Sequence, residues 1–300
     1  MNQRLKVPVH VEIHLLPHCS ASHDEIHALV KPFLSEIQLF SNSQLPIPPS
    51  LQNIVSSIQV CDLPLDQSVS FWQADIVPHF VRLSEQGPDC DYLEGDEDIP
   101  AAEQWELPNI YLKGLWDSII VDHAIKQQLI NYCCSSISFA DAGIDANIIS
   151  WNKMILLHGP PGTGKTSLCK ALAQKVFIRN SHRFQSGLLF EINAHSLFSK
   201  WFSESGKLVM KLFNHISDIA EDSRTLVILL IDEVESIANA RSSASQAGEP
   251  GDAVRVVNAV LTSLDSLRRK NNVLVLCTSN MLASLDEVSV VPLYVIDGLL

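Results

Sequence analysis

The chain has no long apolar run, no excess of positive charge and no cysteines at metal-binding spacing, and each lack removes a class of function. Its most apolar stretch, Leu226–Ile231, ends at Asp232 after 6 residues, far short of the roughly 20 that cross a bilayer core. No membrane span is expected. The N-terminus passes from Met1 through Arg4 into an alternating segment with His10, Glu12 and His14, which cannot serve as the apolar core of a secretory signal. With 21 Lys and Arg against 34 Asp and Glu, a formal charge of −13, the molecule repels phosphate backbones and anionic headgroups. Direct nucleic-acid binding is not expected. The 7 cysteines form no CxxC pair, and neither an HExxH motif nor a Cys/His cluster is present. A reducing intracellular compartment follows most simply. Internal repeats and low-complexity tracts are also missing.

What is there suffices for a folded core: 300 residues, 46% of them apolar, give a soft expectation of about two domains. Val7, Val9, Val11, Ile13 and Leu15 share one parity and His10, Glu12 and His14 the other, the period-two pattern of a half-buried strand. Ser22 and Glu25 have capping-box spacing before Ile26, Leu29, Val30, Phe33, Leu34 and Ile37, so a helix follows, with Pro32 expected to kink or delay it. Strand-like runs at Ile54–Cys61 and Ile76–Leu83 complete a small α+β domain. Between Asp89 and Asp98 stand 6 acidic residues, read as a solvated linker or, alternatively, a contact for a basic partner. The domain boundary is therefore expected at residue 98. Beyond it strands and helices alternate. Helix-like Val121–Ile137 is followed by strand Met154–Leu157, helix Lys165–Phe177, strand Leu188–Ile192, helix Ser205–Ala220, strand Leu226–Ile231, helix Asp252–Leu267 and strand Val273–Thr278. Near-continuous apolar strands between amphipathic helices predict an α/β fold with a parallel sheet covered on both faces.

Gly159-Pro160-Pro161-Gly162-Thr163-Gly164-Lys165-Thr166 follows an apolar strand and opens a helix, the context a phosphate-binding loop requires. Glycines let successive backbone N–H groups converge on an anion, and the helix N-terminus adds about half a positive charge. Lys165 would reach the β- and γ-phosphates of ATP, and Thr166 would ligate Mg2+. Two carboxylates, Asp232 and Glu233, end the buried strand Leu226–Ile231, at the carboxyl edge where parallel sheets bind ligands. Asp232 is assigned to magnesium and Glu233 to polarising the attacking water. Asn280, after strand Val273–Thr278, is assigned as a sensor that hydrogen-bonds the γ-phosphate or orients that water.

With Gly159–Thr166, Asp232-Glu233 and Thr278-Ser279-Asn280 in this order, the chain resembles an AAA+ P-loop ATPase. Leu156-Leu157-His158-Gly159, Leu197–Lys207 and Ile231-Asp232-Glu233-Val234-Glu235-Ser236 narrow the likeness to the pachytene checkpoint protein 2 family. Val7-His10-Val11-Glu12, Trp105-Glu106-Leu107-Pro108 and Gly114–Ser118 extend it over about residues 5–282. The resemblance implies a homo-hexameric ring that unfolds part of HORMA-domain proteins, with an adaptor for some substrates. It also implies work in the nucleus at meiotic chromosomes and in spindle-checkpoint signalling, with a cytoplasmic pool as a further expectation. Residues 1–98 would recognise substrate and adaptor, and 99–282 would form the large ATPase subdomain. By the same resemblance Trp201 and Phe202 form a pore loop that grips an extended chain, their polar neighbours Lys200, Ser203 and Glu204 arguing for exposure against a core aromatic pair. Asn239–Gly251 resembles a second pore loop. Trp116, with Gly114 and Leu115, would line an adenine pocket; a packing tryptophan is the rival reading. His158 reads as structural.

The family completes its site with arginines from the neighbouring subunit and with a helical lid. Here the last arginine is Arg269, residues 281–300 hold no arginine or lysine, and 288–300 no longer resemble the family. A divergent tail over 283–300, a missing lid, slow turnover and poor ring assembly are the expectations, because a trans arginine is worth ~10³–10⁵ in rate. Two functions stay open at this point: an ATPase that remodels HORMA proteins, and a nucleotide-binding module that sequesters them with little turnover.

Overall fold

The computed structural model describes residues 6–64, 67–92, 100–144, 151–194, 205–236, 252–281 and 294–296. The chain divides into two units, Met1–Ser84 and Glu85–Leu300.

In the first unit, β1 (Val7–Leu15) is followed by α1 (His23–Glu36), β2 (Leu39–Ser41), β3 (Gln44–Leu45), β4 (Val55–Cys61), β5 (Ser68–Ser70) and β6 (Ala74–Val81). The main sheet runs β3-β4-β1-β6, and β2 pairs separately with β5. The capping box forms as its spacing predicts: Ser22 accepts from the Glu25 backbone N–H, and Glu25 accepts from the Ser22 backbone N–H at 2.8 Å. Pro32 does not delay α1, which starts at His23 and runs through it. Pro32 is exposed, so water can satisfy the carbonyl that its missing N–H releases. Ile26, Val30 and Leu34 on α1 pack with Val9, Val11 and Ile13 of β1. The other face of β1 departs from the half-buried expectation, since Glu12 and His14 are also buried. As an interior strand, β1 has Gln59 of β4 and His79 of β6 flanking Glu12, and His10 Nδ1 lies 3.0 Å from His79 Nε2.

The second unit contains β7 (Asp89–Tyr92), β8 (Pro100–Leu107), α2 (Leu115–Ser118), α3 (His123–Asp141), β9 (Met154–His158), α4 (Lys165–Arg179) and β10 (Ser186–Asn193). These are followed by α5 (Ser205–Ile219), β11 (Thr225–Asp232), α6 (Asp252–Leu267), β12 (Val273–Ser279) and β13 (Tyr294–Ile296). One sheet takes the order β13-β9-β12-β11-β10-β8-β7. The five strands from β13 to β10 are parallel, as predicted, while β8 and β7 add an antiparallel edge. Alternate residues of one strand feed different cores. Val227, Leu229 and Ile231 pack with Leu212 and Phe213 of α5 and Val260 of α6; Leu226, Ile228 and Leu230 pack with Leu129 of α3 and Leu172 of α4. Burial on both faces is why β11 reads as an unbroken apolar run.

One expectation changes. The unit boundary falls at Ser84/Glu85 rather than at 98, because Asp89–Tyr92 is the outermost strand of the large sheet. Charged residues on an edge strand discourage pairing with another chain, so acidity there is compatible with structure; residues 93–99 lie outside the described set. Within the tail expected to diverge, Tyr294–Ile296 pairs with β9 as the other edge of the sheet. Among the described residues no helix is long and apolar enough to cross a membrane.

Two packing details carry predictions. A Cβ placed on Gly187 would lie 2.4 Å from Phe177 Cδ2, and Phe177 is itself buried in the α3–α4 core. Gly187→Ala is expected to cost about 1–3 kcal/mol through overpacking, read from denaturant unfolding; an unchanged midpoint would show that the ring has room to move. Lys153, 3% exposed, donates to the Lys270 carbonyl, and burial pushes its ammonium from 10.5 down to about 8, against an opposing pull from Asp141. The unfolded chain then holds the extra proton between about pH 8 and 10.5, so this group's contribution to stability rises with pH in that window. The buried thiols of Cys133, Cys134, Cys169 and Cys277, all pushed upward by desolvation, act oppositely above about pH 9. They are common to parent and variant, so they cancel in a difference. The stability of the parent relative to Lys153→Met should therefore increase from pH 7.5 to pH 10; a flat difference would contradict the shift.

Candidate nucleotide site

The carboxyl ends of β9, β12 and β11 lie side by side, and each carries one part of the site. After β9 the loop passes through Gly162 at φ +79° and Gly164 at φ +81°, where a Cβ would meet nothing within 4 Å. The left-handed backbone, rather than crowding, is what calls for glycine at both positions. Gly164 is the N-cap of α4, so the free N–H groups of the first helical turn face the loop's open side. Lys165 is 6% exposed, and its ammonium donates to the carbonyls of Gly159 at 2.9 Å and Pro160 at 2.7 Å. Thr163 Oγ1 also donates to Pro160 O, at 2.9 Å. Pro160, Pro161 and Gly162 are exposed, leaving the loop accessible from outside.

Asp232 closes β11, and its Oδ1 accepts from Thr166 Oγ1 at 2.8 Å although the two residues stand 66 apart in sequence. The same oxygen accepts from the Thr278 hydroxyl of β12, which in turn accepts from the Glu233 backbone N–H at 3.1 Å. Val234 N–H donates to Thr278 O at 3.0 Å, so the turn after Asp232 is pinned to β12 on both sides of Glu233. Glu233 needs that support, because its φ is 58°, in a left-handed region that costs a side-chain-bearing residue about 1–2 kcal/mol. The loop joins the third strand through Gly159 N–H, which donates to Ser279 O at 3.3 Å. Asn280 follows at once, its side-chain Nδ2 donating to Glu235 Oε1 at 3.0 Å.

The donor set suits magnesium and a triphosphate. Thr166 and Asp232 offer a hydroxyl and a carboxylate oxygen, hard ligands of the kind Mg2+ takes one or two at a time beside water and phosphate oxygens. Backbone N–H groups and an ammonium surround the anion side. Among the described residues no group of three or more His, Cys, Asp or Glu could hold a metal ion, so an all-protein metal cage is not in competition.

The structure thus brings together Gly159–Thr166, Asp232, Glu233 and Asn280 from three separate sequence segments. It does not bring Trp116 with them. Trp116 is 6% exposed in the cluster with Leu112, Leu129 and Leu172, and the Lys126 ammonium sits 5.3 Å from its ring centroid. Lys126 also ties down the carbonyls of Trp116 and Ile119. The place of Trp116 among core neighbours is the one that the packing reading gave it. Trp201, Phe202 and Asn239–Gly251 lie outside the described residues. Three residues had no role from sequence. Thr278 and Glu235 hold the acidic turn, and Asn193 stands at the end of β10 directly opposite Asp232. Asn193 had the same signal as Asn280, an amide closing a buried strand.

The family described as ATPase family associated with various cellular activities (AAA) matches residues 155–290, and that described as TRIP13 N-terminal domain matches residues 4–86. The pachytene checkpoint protein 2 homolog of Homo sapiens is 44% identical over 286 residues, covering 93% of this chain and 66% of that protein. The homolog of Gallus gallus is 44% identical over 288 residues, covering 93% of this chain and 67% of that one. This chain therefore spans about two thirds of the length of its curated relatives. A solved structure of C. elegans PCH-2 superposes with TM-score 0.75 at 33% identity, covering 97% of this chain and 73% of that one. A chain in the E. coli MS115-1 HORMA:CdnC:Trip13 complex reaches TM-score 0.51 at 17% identity over 65% of this chain and 68% of its own, a likeness of fold alone.

Proposed function

This chain belongs to the pachytene checkpoint protein 2 family of AAA ATPases, and on that premise we propose that it hydrolyses ATP to unfold HORMA-domain proteins locally. The observation that carries the ATPase part is the contact of Thr166 with Asp232 at 2.8 Å, which joins the phosphate loop to the acidic strand end. Lys165 exchanges its two loop carbonyls for β- and γ-phosphate oxygens, a pairing of opposite charges stronger than the ammonium–carbonyl contacts it leaves. Thr166 and Asp232 hold magnesium, which when bound neutralises charge on the phosphates. Glu233 takes a proton from the water that attacks the γ-phosphorus in line, ADP leaves, and Asn280 orients the reactants.

The remodelling part rests on family membership and, for partner class, on the E. coli assembly in which a Trip13 stands with a HORMA protein. In this reading the first unit recognises substrate and adaptor, Trp201 and Phe202 grip the extended chain, the working form is a homo-hexamer, and the setting is nuclear, in meiotic and spindle-checkpoint control. The test takes the full chain. Calorimetric titration should detect magnesium-dependent ATP binding, and hydrogen exchange on an added HORMA-domain protein should rise with ATP but not without it. Absent ATP affinity in a folded sample sinks the whole reading; affinity without ATP-dependent exchange sinks the remodelling half.

A further inference from the structure

Glu235 lies three residues beyond Asp232, in the turn that carries Glu233, and is 8% exposed. Its Oε1 accepts twice from Asn280, from the side-chain Nδ2 at 3.0 Å and from the backbone N–H at 3.2 Å. Its Oε2 is buried with no hydrogen-bond partner among the described residues. A buried carboxylate oxygen without a partner costs about 1–3 kcal/mol or more unless water reaches it. The chemistry of the pair is one-sided. A carboxylate only accepts, so the amide of Asn280 must turn its nitrogen toward Glu235, and its oxygen then occupies the opposite edge.

We infer that Glu235 is a positioning residue that fixes the amide of Asn280, so that Asn280 holds the attacking water through its side-chain oxygen. This deepens the ATPase reading and rests on it. An acceptor that shares the attacking water with Glu233 would fix two of that water's hydrogen-bond directions, which is where orientation lowers a barrier. The amide carries a second N–H that Glu235 does not engage, so what the clamp fixes is the direction of the oxygen. The clamp also ties strand ends 45 residues apart, so a shift of Asn280 moves the turn bearing Glu233.

The test is single-turnover hydrolysis at saturating ATP, with ATP affinity measured separately. Glu235→Ala should lower the rate by at least about tenfold while the affinity changes by less than about twofold, and Glu235→Gln, which keeps an acceptor, should stay within about threefold of the parent. Asn280→Asp alone sets two carboxylates against each other and should lose most of the rate. Combined with Glu235→Gln, which supplies a donor to the new carboxylate, it should regain at least about tenfold. Each of three results overturns the inference in an active parent: an unchanged Glu235→Ala, a Glu235→Ala whose affinity falls in step with its rate, or a double variant that regains nothing, as a donor role would require. A parent that binds no ATP removes the underlying ATPase reading first, and the inference with it.

Discussion

Lys165→Ala should weaken magnesium-ATP binding by about 100- to 1,000-fold, the loss of two charge-assisted contacts to phosphate at roughly 1.5–3 kcal/mol each less some rehydration. The fold should survive. Among the described residues the ammonium donates to the carbonyls of Gly159 and Pro160, and the Pro160 stretch is exposed, so water can take its place. Truncation also removes a charge that burial holds within the loop, offsetting part of the lost hydrogen bonding. The pairing of a large affinity loss with a melting temperature within a few degrees of the parent separates a ligand-binding lysine from a structural one. Calorimetric titration alongside thermal unfolding makes the measurement. Parent-like affinity in the variant would mean that the loop is not the phosphate cradle.

Glu233→Gln should leave ATP affinity within about threefold and reduce turnover by about 10²–10⁴, the range that a positioned base contributes. Glutamine keeps the size and the backbone demand of the side chain but cannot take the proton from water. The location of Glu233 sharpens the prediction. Its φ of 58° is maintained by Thr278 from two sides, so the residue is forced into a conformation that glycine would adopt freely. Glu233→Gly should relieve about 1–2 kcal/mol of left-handed strain and lose about 0.5–1 kcal/mol to the greater freedom of the unfolded chain. Its stability should equal or slightly exceed that of the parent while turnover is lost. That combination, activity gone and stability kept, is what strain held for function predicts. Should Glu233→Gly prove markedly less stable, the side chain would be a structural support instead, and the role of water activation would pass to another group.

How much of this was legible in advance depended on how local the cause was. β9, β10, β11 and β12 were predicted within one or two residues, because strands buried on both faces are written as continuous apolar runs bounded by polar ones. The Ser22–Glu25 cap was legible because its two hydrogen bonds span three positions. The phosphate loop was legible because glycine spacing and the following helix lie in one segment. Asp89–Tyr92 was read as linker since edge-strand pairing leaves no apolar trace, and the even face of β1 was read as solvated since His and Glu give no sign of which strands will flank them. Trp116 stood next to family-like residues and still went into the core.

Sequence by itself determined the α/β class, the phosphate loop and the presence of acidic and amide residues at strand ends, since each is encoded over a few neighbouring positions by hydrophobic period or backbone conformation. Only the tertiary structure decided which of those residues meet. The order β9-β12-β11 sets Thr278 between the loop and Asp232, pins Glu233 in its left-handed turn and delivers Asn280 to Glu235. Contacts between groups 45 to 66 residues apart arise from strand order in space, and no local pattern along the chain specifies that order.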